Sequence, residues 1–332
     1  MEYYYRLNIM NIKIDYFFNK HLKKMDITQD ICSMITKYIY KPEYKLLDWI
    51  DKSKLTNKIL LSGNIKAISF LRENPEKINW DLLSFNPNAI HLLEENLEKI
   101  NWFYLSENRN AIHILEKNPN KIEWNYLSSN PNAIKLLEAN PDKINWNYLS
   151  GNPNAINLLK KNLEKINWYF LSGNKNAIKL LEENPEKIDW NSLSFNENAI
   201  EILEKNLDKI DWNNLSFNIN AIKLLEKQMD KINWYYLSSN INAIKILKEN
   251  LDKIDWKSLS YNENAIEILE QYRDKIDWFN LSRNSNAIHL LEENPDKIYW
   301  EYFSSNKSIF EEVINKDIYE NIQKTLEIIL IK

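Results

Sequence analysis

The chain has 332 residues, a formal net charge of −4 and a pI near 5.8, with 44% hydrophobic and 12% aromatic residues. That composition belongs to a folded protein and lacks the basic excess of a sequence-independent nucleic-acid binder. Three glycines argue against a turn-rich β-fold or a phosphate-cradling loop, and the one cysteine, Cys32, excludes an internal disulfide and fits a reducing compartment.

Residues 1–57 lie outside the regular pattern that follows. The opening MEYYYRLNIMNIKIDYFF has neither a long apolar core nor a small-residue cleavage site, so no signal peptide is expected. No run approaches the roughly 20 apolar residues of a membrane span, and a cytoplasmic protein without a membrane partner is expected. Ile27, Ile31, Met34, Ile35, Tyr38 and Ile39 fall at helical spacing, and Pro42 ends that helix. A second short helix is expected over Glu43–Ile50. Together these form an N-terminal cap, which a repeat array needs to cover its first apolar face.

Residues 58–307 are built on one 22-residue unit, shown by KINWDLLSFNPNAIHLLEEN at Lys77–Asn96. Trp80, Trp102, Trp124 and eight further tryptophans to Trp300 mark the beat. Numbering from the Trp position as zero, Ser stands at +4 and Asn at +6 in all twelve units, and Ala at +9 in eleven, Ala67 to Ala287. Each unit therefore solves the same packing problem against its neighbour. Lys58 replaces Trp in the first unit; in the last, Ile309 replaces Ala and Phe310 replaces Ile.

Within a unit, Ala133, Leu136 and Leu137 form the stripe of a two-turn helix. Asn132 is read as its N-cap and Asn140 as its left-handed C-terminal cap. Asn145 caps a second, shorter helix carrying Trp146 and Leu149. Residues 308–332 read as a C-terminal cap of two helices, SIFEEVIN and IYENIQKTLEIILI. The expected fold is all-α: an elongated α-solenoid of about twelve repeats with helical terminal caps. A leucine-rich repeat shares the period and the Asn, but needs an apolar residue five places before it. Asp81, Asn125, Asn147 and Asn191 stand there, which a buried strand position does not tolerate.

The units at 58–307 resemble the short helical repeats of giant DNA virus proteins, and their alternation of α and 3₁₀ turns is similar to leucine-rich-repeat-variant solenoids. The first resemblance implies a viral protein working in a host cytoplasm. Ile27-Thr28-Gln29-Asp30-Ile31, with Ile35, Tyr38 and Ile39, resembles the opening of an F-box, although Thr28 stands at that family's proline. It implies that residues 26–50 recruit ubiquitin-ligase machinery.

No constellation for catalysis emerges. Cys32 has no nearby His, and no Walker loop, zinc motif or nucleophile elbow occurs. His91, His113 and His289 share one variable site on the two-turn helix with Lys135, Lys179 and Lys223, and read as surface residues. Lys135 with Glu138, Lys179 with Glu182 and Lys223 with Glu226 are spaced as i, i+3 pairs on an exposed face. No enzyme activity, cofactor or metal is expected. A lysine three places before each Trp, Lys77 through Lys297, makes a ladder, but ten of its eleven members directly follow Asp or Glu. The local field cancels, which argues against nucleic acid.

The expected function is a protein–protein interaction scaffold for an unidentified protein partner; the alternatives are an F-box-like adaptor and, third, a nucleic-acid-binding solenoid. Specificity should sit where the units differ: Phe103, Tyr169, Tyr235 and Phe279 at +1, and the site holding His91 or Lys135. Rings also trade places between +2 and +5. Tyr126, Tyr148 and Phe170 pair with Ser129, Gly151 and Gly173, whereas Ser192 and Asn214 pair with Phe195 and Phe217. That exchange predicts one packed ring per gap between neighbours.

Overall fold

The computed structural model describes residues 43–313. The F-box-like segment 26–39 and the closing helix expected at 318–331 lie outside the described residues. Residues Tyr44–Glu311 form one compact unit.

The expected all-α repeat architecture is present. Each of the first eleven units carries a Trp-position helix, such as Trp146–Gly151, an Ala helix, such as Ile156–Lys160, and a 3₁₀ turn, such as Leu163–Lys165; in the last, a 3₁₀ turn and a strand follow Trp300–Phe303. In the Trp146 unit the Trp helix has six residues and the Ala helix five, whereas Trp124–Leu127 and Trp278–Leu281 are the shorter of their pairs, as expected. The start of Trp146–Gly151 follows the sequence: the Asn145 side chain accepts from the N–H groups of Asn147 and Tyr148. Leu149 and Ser150 face inward, Ala155 and Leu159 join them, and all four are fully buried. Leucines at +3 and +13 and alanines at +9 repeat this along the array, forming one continuous apolar core.

Two expected caps are corrected. Asn132 does not cap the Ala helix, which starts at Ile134 behind Ala133 with no side-chain cap; instead its Nδ2 donates to Arg109 O of the preceding unit. Asn140 is not left-handed, with φ −136° and ψ 61°, and its Nδ2 donates back to Leu136 O. In both cases the amide finds a carbonyl that cap geometry would have left unpaired.

The buried polar residues hold the units together. Ser150 Oγ donates to Trp146 O at 2.7 Å and accepts from Asn167 N of the next unit at 3.0 Å. Asn152 Nδ2 donates to Ser128 O and Asn130 O of the preceding unit, both at 3.0 Å, while its Oδ1 accepts from Asn154 N. The same Asn pattern recurs at every unit. Because both groups are buried, only a side chain of that reach and polarity satisfies these backbone groups, which accounts for the unbroken Ser and Asn.

The array does not run on as an extended rod; it returns to its start. Asn64 of the first unit donates to Ser304 O at 3.3 Å and Asn306 O at 3.1 Å, the ladder bonds of an internal junction made across 240 residues. Glu43–Leu46, expected as helix, is strand β1. It pairs with strand β2, Phe310–Val313, where the helix SIFEEVIN was expected. Leu47 N donates to Ile309 O, Trp49 packs on Phe303, and Phe70 packs on Phe310. These terminal segments thus join the two ends. Strand pairing satisfies the backbone of both, and the large Phe303, Ile309 and Phe310 are buried at the join. Twelve units form a closed ring.

Candidate interaction surface

Closure assigns an inside and an outside. Successive Trp helices pack directly on one another, as do the hydrogen-bonded loops that follow them. The Ala helices stand further apart and are bridged by long side chains, Arg72 to Glu95 at 3.2 Å and Lys248 to Glu267 at 2.6 Å. In a ring the closely spaced elements lie at the smaller radius, so the Trp helices line the inner circumference. Twelve helices at about 8–10 Å spacing enclose a circle roughly 30–38 Å across, measured between axes.

The core face of each Trp helix uses 0, +3 and +4, leaving +1, +2 and +5 for the inner surface. Phe103, Tyr169 and Tyr235 stand there at 50–57% exposure, and Phe279 is half-buried against Tyr299 and Tyr302. The +2 and +5 rings share this surface. They are not the packed gap-fillers expected, since Tyr148, Phe170, Phe195 and Phe217 remain 40–50% exposed. Neighbouring units bring them into contact in rows: Tyr126 stacks on Tyr148, Phe195 stacks on Phe217, and Phe103 meets Tyr126 edge-on. The rows explain the exchange, because +2 and +5 are one turn apart on a helix and reach the same strip of surface.

The inner surface is uneven in charge. From the Trp124 unit to the Trp234 unit its eighteen +1, +2 and +5 positions hold only Tyr, Phe, Asn, Ser and Gly, in a chain that is 27% charged. Asn125 and Asn147 each accept, through Oδ1, from an Asn of the next unit, and Asn214 donates to Asn191 O at 3.1 Å. Elsewhere on this face stand Asp81, Glu107, Lys257, Arg283 and Glu301. Burial raises the Glu107 carboxyl above its ordinary value.

The second set of expected site residues lies on the outer helices and is not brought together with the first. His91, His113, Lys135, Lys179, Lys223 and His289 are all exposed on Ala helices. His113 meets Glu94 and His289 meets Glu270 at 2.9 Å, each across a unit boundary, and His91 Nδ1 lies 3.5 Å from Glu94. The hydrogen bond with His113 lowers the Glu94 carboxyl. The ion pairs of this belt run mostly between units and not along one helix: Glu226 faces Lys245 at 4.0 Å, not Lys223. Most of the ladder lysines are likewise occupied. Lys99, Lys143, Lys165 and Lys209 sit 4.6–4.8 Å over the Trp ring of the preceding unit.

Sequence reasoning found the +1 rings but missed that +1, +2 and +5 form one inner surface. The signal was the absence of charge at those positions in consecutive units. Among the described residues no helix is long and apolar enough to cross a membrane, and no group of three His, Cys, Asp or Glu could hold a metal. Comparison with protein-family models, with curated proteins and with solved structures found no match, so the chain stands as a protein of regular 22-residue helical repeats.

Proposed function

We propose that this chain is a non-enzymatic protein-binding scaffold whose recognition surface is the inner face of the Trp helices. The observation that carries this is the uncharged arc from Asn125 to Ser239, made only of Tyr, Phe, Asn, Ser and Gly. Exposed Tyr and Phe offer large rigid contact area at small entropic cost, and Asn, Ser and Gly add adaptable hydrogen bonding; this is the composition of evolved protein-binding surfaces. Aromatic side chains free of competing charge are also what the centre of an interface requires. A surface without cations offers nothing to a phosphate backbone.

The test is capture. Phe103, Tyr169 and Tyr235 changed together to Ser should lose the proteins that the unaltered ring retains from cytosol, with little change in melting temperature. Retention of the same proteins by the folded triple variant would refute the assignment. The resemblance to giant-virus repeats makes host cytosol the first extract to use. The F-box-like segment supports a second reading, a substrate adaptor for a ubiquitin ligase. Ile31→Asp with Ile35→Asp tests it: loss of ligase components, with the other captured proteins retained, supports the adaptor.

A further inference from the structure

One part of the arc is an open cleft. Gly151, Gly173, Tyr169, Phe170, Asn191 and Phe195 line a cavity of about 390 Å³ that runs from the Trp146 unit to the Trp212 unit. Its floor lies at the +5 position, which other units of the ring fill with Phe85, Phe195, Phe217 or Tyr261.

Neither glycine is there for the fold. Both end a Trp helix, in a segment where glycine is less favourable than alanine. A Cβ on Gly173 would meet nothing within 4 Å, and one on Gly151 would touch only Phe170 Cβ at 3.9 Å, an ordinary contact. Neither residue has the left-handed backbone that would call for glycine. What the two glycines do achieve is to keep the cleft empty between rings. Its walls are aromatic, with Tyr169 and Phe170 packed edge to face at 5.4 Å. Its rim carries the amides of Asn191 and Asn214 and the hydroxyl of Ser192, and no lining residue is charged.

We propose, building on the protein-binding reading, that this cleft is the anchor pocket for an uncharged peptide segment. One aromatic or branched aliphatic side chain of that segment inserts between Phe170 and Phe195, and the flanking peptide groups meet the Asn and Ser rim. The match is electrostatic as well as steric. A carboxylate or ammonium would lose hydration here without finding a counter-charge, whereas a peptide N–H or C=O finds amide partners. A pocket of this size takes a side chain with its neighbouring backbone.

The experiment selects a displayed library of linear dodecapeptides on the full chain, then measures the enriched peptides on variants. Gly173→Phe fills the floor with a ring at +5, as Phe85 does beside the large Leu82, and a Cβ at 173 meets nothing within 4 Å, so the backbone accommodates it. Gly173→Ser copies Ser129 and Ser239. Enriched peptides should be poor in charge and share one apolar side chain; Gly173→Phe should weaken them at least tenfold, and Gly173→Ser by less than threefold, with melting temperatures unchanged. Peptides that bind the ring, lose affinity in the Phe103/Tyr169/Tyr235→Ser variant, yet ignore Gly173→Phe would overturn the pocket and leave the protein-binding face standing. Enrichment of charged peptides also overturns it. If no peptide or captured protein distinguishes the ring from the triple variant, both readings fall.

Discussion

Ring closure makes one junction unlike the other eleven in sequence but like them in bonding, and Asn64→Ala isolates it. The substitution removes two donors to the buried carbonyls of Ser304 and Asn306, and the acceptor for Lys66 N. A buried acceptor left unpaired costs about 1–3 kcal/mol. Ser304 O and Lys66 N lose their partner, while Asn306 O keeps Ile309 N at 3.4 Å, so the cost should be roughly 2–4 kcal/mol. Asn152→Ala, the internal control, should cost as much or slightly more. The two should differ in consequence: loss at the seam frees the ends, whereas loss inside leaves the ring joined through the other junctions. Dyes at Lys52→Cys and Lys307→Cys, in a Cys32→Ser background, report the ends; both positions are exposed beside the seam. Energy transfer should be high in the parent ring and in Asn152→Ala, and should fall in Asn64→Ala at denaturant concentrations below global unfolding. An open row of twelve units would hold the dyes on the order of 100 Å apart. Low transfer in the undenatured parent would therefore refute closure outright.

Deleting residues 1–50 removes β1, Leu47 and Trp49, and should lower end-to-end transfer as Asn64→Ala does. Ser150→Ala leaves the half-buried Asn167 N–H and Trp146 C=O without their shared hydroxyl and should cost about 1–2 kcal/mol in chemical denaturation. Lys165→Met removes a cation held over Trp146 and should cost only about 0.5–1 kcal/mol by the same measurement. Tyr126→Ser breaks ring contacts with Phe103 and Tyr148 on a half-exposed surface, for about 1 kcal/mol; adding Ser129→Phe should restore part of it, and strictly additive losses would show that +2 and +5 do not share one strip.

Much of the fold was legible because each unit faces the same neighbour, so a residue type needed once recurs every 22 positions. Leu149, Ala155 and Ser150 were readable as core from that recurrence, and Asn145 as an N-cap from its local position. The candidate surface was legible in part. Phe103 and Tyr235 stood out as rings at a variable position, but Gly151 and Gly173 gain meaning only once Phe170 and Phe195 are seen to flank them.

The sequence by itself determined the period, the helical class, the recurrence of Ser and Asn, and the apolar stripe of Ala and Leu, because those follow from packing inside one unit and its nearest copy. Only the tertiary structure decided the ring. Asn132 and Asn152 donate to carbonyls 22–24 residues earlier, partners that no local cap pattern reveals. Closure needs each of twelve junctions to turn by about 30° on average, a small rotation set by how closely the Trp helices pack relative to the Ala helices. One unit carries no record of that angle. It accumulates along the whole array until Asn64 meets Ser304, and that meeting decides which face of every helix turns inward.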